Sequence, residues 1–183
     1  MIYAGYKKRP QGDEQYTPHH AVLPIIKYLP RNAVVWCPFD TENSEFVLAL
    51  KEAGYAVEYS HIFTGQDFFE YEPQRWDIIV SNPPFSRKQK VVERCLTLGK
   101  PFALLLSNLW LNSNAPCRLF KQREMQMLLF DKRIHYSDKN AVFFGSSYFC
   151  HKVLPKQIIF ENLATVKGEK SRMWLDMEKL RPI

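Results

Sequence analysis

The chain has 183 residues, 46% of them apolar and 24% charged, a balance that excludes a disordered, collagenous or coiled-coil protein. Twenty-five Lys and Arg against nineteen Asp and Glu leave a net charge of +6 and a pI near 9.1. That excess suits a polyanionic partner without requiring one. A chain of this size buries roughly 70% of its unfolded surface in one domain and needs no disulfide or metal to hold it.

Residues 1–15 read as a polar, flexible arm carrying Lys7-Lys8-Arg9-Pro10, and residues 16–183 as a single domain. After Tyr16, Thr17 stands where a helix cap would, with Pro18 in the first turn. Val22, Ile25, Ile26 and Leu29 then share one helical face, which Pro24 interrupts or restarts. Ala33–Trp36 is a short buried strand that breaks at Cys37-Pro38-Phe39-Asp40. Phe46, Val47, Leu50 and Ala53 recur at helical spacing and Gly54 is a natural stop. A second strand covers 55–60. Residues 61–74 are irregular and hold Asp67-Phe68-Phe69.

Residues 76–81 (WDIIVS) form a nearly continuous apolar strand, as expected where both faces of a sheet are covered. Asn82-Pro83-Pro84-Phe85 follows. Ser86 and Gln89 have the spacing of a capping box, and Val91, Val92, Cys95 and Leu96 face inward on a helix that Gly99 ends. Further strands are expected at 101–107, 125–130, 147–153 and 157–160, with a helix over 114–123. Strands alternating with helices predict an α/β sandwich around a mainly parallel sheet. In such sheets ligands bind outside the carboxyl ends of the strands. There the pattern places Cys37 to Asp40, Asp67, and Asn82 to Phe85.

The four cysteines, Cys37, Cys95, Cys117 and Cys150, form no CxxC pair and no zinc spacing with the five histidines. They read as reduced thiols of a cytoplasmic protein without a bound metal. The first residues lack the apolar stretch of a signal peptide, and no apolar run is long enough to span a bilayer.

Residues 82–85 carry the chemistry. A residue before proline is held extended. Two successive prolines fix φ and supply carbonyls without competing N–H donors. The corner therefore offers the amide oxygen of Asn82 and the carbonyl of Pro83 as rigid, convergent acceptors, with Phe85 as a flat face beside them. Such a set fits a planar group bearing an NH₂, an adenine or a carboxamide. Gripping both amine hydrogens favours the pyramidal nitrogen needed to attack a methyl group, and stacking on an aromatic ring is worth about 1–3 kcal/mol per base.

With NPPF after an apolar strand and before a helix, the chain resembles the S-adenosylmethionine-dependent amino-methyltransferases, whose signature is [DNS]-PP-[YFW] at the end of a strand. Tyr16-Thr17-Pro18 is similar to that family's Thr-Pro element near the methionine end of the cofactor. Val34 to Asp40 (VVWCPFD) takes the place of its first cofactor loop, and Asp67-Phe68 that of the acidic-aromatic element at the cofactor's adenine. Taken together, YTP, WCPFD, GQDFF, WDIIVSNPPFS and FDKRI resemble a small group of phage and prophage adenine-N6 methyltransferases, over most of residues 16–161. The resemblance implies a Rossmann-like class I methyltransferase sandwich with a late antiparallel strand. It also implies S-adenosylmethionine as methyl donor and adenine in nucleic acid as target, DNA ahead of RNA. Asn82, Pro83, Pro84 and Phe85 would then be catalytic. Tyr16, Thr17, Pro18, Cys37, Pro38, Phe39, Asp40, Asp67 and Phe68 would bind cofactor.

Each of these residues has a plainer structural reading. Asp67 caps a local turn, Asp40 and Thr17 cap helices, and Phe39, Phe68 and Phe69 belong to the core. The first loop departs from the family by having no glycine between Ala33 and Gly54, and no acid follows the second strand, where Ser60, His61 and Phe63 stand. Arg87, Lys88 and Lys90 lie in the first turns of a helix, where the dipole disfavours cations by about 0.3–1 kcal/mol each. They are candidates for phosphate contacts, or a solvated face, as are Lys121, Arg123, Lys132 and Arg133. No second domain is expected to read a nucleotide sequence, which leaves loose specificity, a partner subunit that supplies it, or a single-stranded substrate. Two other functions remain open: methylation of a protein glutamine, and a non-catalytic nucleic-acid-binding or partner subunit of the same fold.

Overall fold

The computed structural model describes residues 16–136 and 144–163. The expected N-terminal arm and its basic cluster lie outside the described residues. Four helices, α1 (His19–Ile26), α2 (Glu45–Glu52), α3 (Lys88–Leu98) and α4 (Asn114–Phe120), surround seven strands. The strands are β1 (Val34–Cys37), β2 (Ala56–Tyr59), β3 (Ile78–Ser81), β4 (Phe102–Ser107), β5 (Gln126–Phe130), β6 (Ser146–His151) and β7 (Ile158–Glu161). They form one sheet in the order β2-β1-β3-β4-β6-β5-β7. The pairs β1–β2, β1–β3, β3–β4 and β5–β7 are parallel, and β6 runs antiparallel to both of its neighbours, β4 and β5. This is an α/β sandwich around a mainly parallel sheet with a late antiparallel strand, as the sequence predicts.

The alternation of side chains along each strand divides the core. Val35, Cys37, Ile78, Val80, Ala103, Leu105, Tyr148 and Cys150 pack on one face, with Val22 and Ile25 of α1 and Phe46, Val47 and Leu50 of α2. Trp36, Ile79, Leu104, Leu106 and Phe149 pack on the other, with Val91, Val92 and Cys95 of α3 and Leu119 of α4. Covering on both faces is why β1, β3 and β4 are buried at every position. At the amino edge Asp77 Oδ2 accepts from the Val34 amide at 2.8 Å, which ties the starts of β1 and β3 together.

Gly54 and Gly99 end α2 and α3 with φ of 87° and 74°, the left-handed conformation that Gly supplies without steric penalty. Pro24 lies inside α1 and does not break it; at its sixth position it removes one donor from a helix of only two turns. Two expected caps do not form. α1 has Pro18 as its N-cap, with no side-chain bond; Thr17 stands one residue before it, and its hydroxyl accepts from Asn82. α3 has Arg87 at its N-cap, also without a side-chain bond. A 3₁₀ turn over Phe85–Arg87 intervenes, and Gln89 reaches forward to Glu93 instead of back toward Ser86. α4 stops at Phe120, three residues short of the expected end. The four thiols are free. No helix among the described residues is long and apolar enough to cross a membrane.

Candidate functional site

β1 has β2 on one side and β3 on the other, so the chain reverses direction across the sheet between β1 and β3. The crevice at such a switch point, outside the carboxyl ends, is where open α/β sheets take ligands. The segments leaving those two ends are Pro38-Phe39-Asp40 and Asn82-Pro83-Pro84-Phe85.

A hydrogen bond joins the two segments. Ser81, the last residue of β3, donates its hydroxyl to Asp40 Oδ2 at 2.5 Å, and both residues are buried. Asp40 is only 8% exposed. Burial pushes its carboxyl up to about 6, while the hydroxyls of Ser81 and Ser44 pull it part of the way back. Among the described residues, the groups that favour its anion are these two hydroxyls. Ser44 closes the loop, its Oγ accepting from the Thr41 amide at 2.9 Å, and it holds the N-cap position of α2 without a side-chain bond to that helix. Asp40 therefore caps no helix itself. Cys37 is fully buried on the core face of β1, where desolvation and the neighbouring Asp40 raise its thiol.

Asn82 is oriented from the other side. Its Nδ2 donates to Thr17 Oγ1 at 3.0 Å, which directs Oδ1 the opposite way. Pro83 and Pro84 are buried, and Phe85 is half-buried with its ring 5.9 Å from Phe144, edge to face at 74°. Two residues beyond Thr17, His19 Nδ1 meets Glu45 Oε2 at 3.2 Å, and Glu45 is buried at the first position of α2. The start of α1 is thus fastened to the NPPF corner by Thr17 and to the start of α2 by His19. Tyr16, Thr17, Pro18, Asp40, Asn82 and the two prolines fall at one place on the carboxyl edge.

The 67–69 segment is used more locally. Asp67 Oδ1 accepts from the Phe69 amide at 3.0 Å, and the Asp67 carbonyl takes the amides of Glu70 and Tyr71. Phe68 is buried, 5.3 Å from Trp36 and 5.0 Å from Phe39 between ring centroids. It serves the core beneath the crevice, and Phe39 joins it to the β1 loop. The cations after NPPF are also partly engaged. Arg87 lies 5.5 Å over the Phe69 ring, and Lys88 donates to the Phe85 carbonyl at 2.9 Å; Lys90 is exposed. Stacking explains how Arg87 is tolerated at the start of a helix.

Sequence reading alone does not single out Ser81, His19, Glu45 or Asn108. Ser81 carried a signal, since it directly precedes NPPF and a buried strand seldom ends on a hydroxyl without a partner. The partner itself, Asp40, is 41 residues away and only the sheet brings it near. Among the described residues no cluster of His, Cys, Asp and Glu could hold a metal ion.

No protein-family model matches the chain, and no curated protein matches it significantly. Two solved structures are similar in outline. Atu636 of Agrobacterium tumefaciens, itself a predicted O-methyltransferase, is 8% identical over 89% of this chain and 96% of its own, with a TM-score of 0.47. A Listeria monocytogenes protein, provisionally assigned as a class I S-adenosylmethionine-dependent methyltransferase, is 13% identical over 95% of this chain and 73% of its own, with a TM-score of 0.48.

Proposed function

We propose that the protein transfers a methyl group from S-adenosylmethionine to the exocyclic N6 amine of adenine in nucleic acid, DNA ahead of RNA. The observation that carries this reading is the Asn82 corner. It stands at the switch point of the sheet, with its amide oriented by Thr17 and the preceding residue bonded to Asp40. Asn82 Oδ1 and the Pro83 carbonyl accept the amine hydrogens, and Phe85 lies along the base. Much of the rate would come from this orientation. No strong base is needed, because a methylated amine gives up its extra proton to water readily. A base inside a duplex cannot reach the corner, so it is flipped out or already unpaired.

The cofactor would supply an electrophilic methyl on a sulfonium. The residues present fit such a cation: Asp40 is a buried carboxylate that accepts from the hydroxyls of Ser81 and Ser44. Tyr16, Thr17, Pro18, Pro38, Phe39, Asp40 and Asp67 would line that side, with Cys37 and Phe68 supporting it from the core. Arg87, Lys88 and Lys90 would meet phosphates, Arg87 and Lys90 being exposed. The cytoplasm is the expected compartment.

Mass spectrometry of nucleosides from DNA and RNA of expressing cells tests the reaction. N6-methyladenine above the background of cells expressing Asn82→Ala supports it, and its absence from both nucleic acids counts against it. One observation favours a second reading, a partner subunit that keeps the fold without the cofactor: the β1 loop has no glycine, and Asp40 within it is bonded to Ser81. Calorimetry with S-adenosylmethionine, with and without nucleic acid, separates the two. Methyl transfer to peptide instead of nucleic acid would point to glutamine.

A further inference from the structure

Asn108 follows the last residue of β4, which lies next to β3 on the side away from β1. Ser81 is paired with Leu104, and β4 runs on to Ser107, so Asn108 rises on the carboxyl edge beside the NPPF corner. Its backbone is fixed, with the Asn108 amide donating to the Gly145 carbonyl at 2.8 Å. Its side chain is not. Oδ1 of Asn108 is buried and has no hydrogen-bond partner among the described residues. A buried carboxamide left unsatisfied costs about 1–3 kcal/mol, which a fold seldom bears without a reason.

The surroundings indicate what that reason is. Gly145 is outside the left-handed region that demands glycine elsewhere in the chain. A Cβ at this position would lie 3.1 Å from Asn108 Nδ2, tighter than ordinary contacts. The glycine thus gives the carboxamide its room. The residue before it, Phe144, packs against Phe85, so Asn108 is one residue removed from the ring proposed to carry the base. Leu109, immediately after Asn108, is 56% exposed.

We infer that Asn108 reads the substrate: with the base amine held by Asn82 and Pro83, its carboxamide hydrogen-bonds the ring nitrogen beside that amine. This rests on the proposed adenine specificity and deepens it. A carboxamide has a donor end and an acceptor end related by a half-turn of the side chain. With Nδ2 inward, Asn108 donates to the ring-nitrogen acceptor. An adenine has two such nitrogens flanking the amine, N1 and N7, and the site takes one of them.

The test uses oligonucleotides with a single target adenine, or 1-deazaadenine or 7-deazaadenine in its place. Substrates are compared by kcat/KM with the wild-type protein, Asn108→Ala and Asn108→Asp; the second variant keeps the shape and loses the donor. The wild type is expected to lose at least about tenfold on one deaza substrate, the value of one buried hydrogen bond. Both variants are expected to lose about as much on adenine and to treat that deaza substrate like adenine. Comparing variant with wild type cancels the electronic effect of the missing nitrogen. Variants that keep the wild-type preference would overturn the inference, as would a wild type indifferent to both nitrogens. If adenine is methylated and Asn82→Ala abolishes transfer while the Asn108 variants behave as wild type, only this inference falls. If the wild type methylates no adenine at all, the proposed function falls and takes this inference with it.

Discussion

Asp40→Asn should stabilise the protein at neutral pH, against the usual result of altering a buried, hydrogen-bonded residue. Folding raises the Asp40 carboxyl from 3.8 to about 6. A raised acid binds its proton more tightly in the folded state, so the fold is favoured while the group is protonated. That advantage is complete below about pH 4 and declines as pH rises through 6; above that the charge is a standing penalty. At about 1.36 kcal/mol per pH unit, the rise corresponds to roughly 3 kcal/mol at pH 7. Asparagine carries no charge and keeps an acceptor for the Ser81 hydroxyl, but its NH₂ must find acceptors of its own. A net gain of about 1–3 kcal/mol is therefore expected at pH 7, or several degrees in Tm at about 2–4 °C per kcal/mol. The assay is thermal and urea unfolding of both proteins at pH 4.5 and 7.5. The stability difference should be small at the lower pH and grow toward the higher. A variant less stable than wild type at pH 7.5, with the wild-type slope unchanged, would refute the reasoning, and with it the idea that the buried charge is a standing penalty.

Other consequences concern the same corner. Ser81→Ala removes a donor from the Asp40 carboxylate; unfolding at pH 7 should show a loss of about 1.5–3 kcal/mol, with the midpoint of the pH dependence moved upward. Asn82→Ala should abolish methyl transfer in a labelled-methyl assay while calorimetry finds cofactor binding intact. Thr17→Val leaves the Asn82 amide without its orienting hydroxyl, and turnover should fall about tenfold to a hundredfold, as a misplaced reacting group does, for about 1 kcal/mol of stability. Gly99→Ala forces a side chain into φ 74° and should cost about 1–2 kcal/mol by denaturant titration, without changing turnover.

The elements were legible because their signals are local. Gly54 and Gly99 mark helix ends since each needs a left-handed residue there. Residues 78–81 and 102–107 announce buried strands by unbroken apolar runs, which a sheet covered on both faces requires. The caps were less legible. Thr17 has the residue type of an N-cap, but α1 starts a residue later with Pro18 in that position, and the Thr17 hydroxyl accepts from Asn82, 65 residues on. Ser86 and Gln89 have capping-box spacing, but a 3₁₀ turn after two prolines shifts the start of α3.

The site divides in the same way. By itself the sequence determined that residues 82–85 make a stiff corner of two acceptors and a ring, because proline restricts its own φ and the residue before it whatever surrounds them. Only the tertiary structure decided what that corner meets. Parallel pairing of β1 with β3 placed Ser81 against Asp40, the return of β6 brought Phe144 and Gly145 to Phe85 and Asn108, and the start of α1 presented Thr17 to Asn82. Those partners are tens of residues apart, and a side chain's own chemistry names what it can bond but not which group the fold will bring within 3 Å.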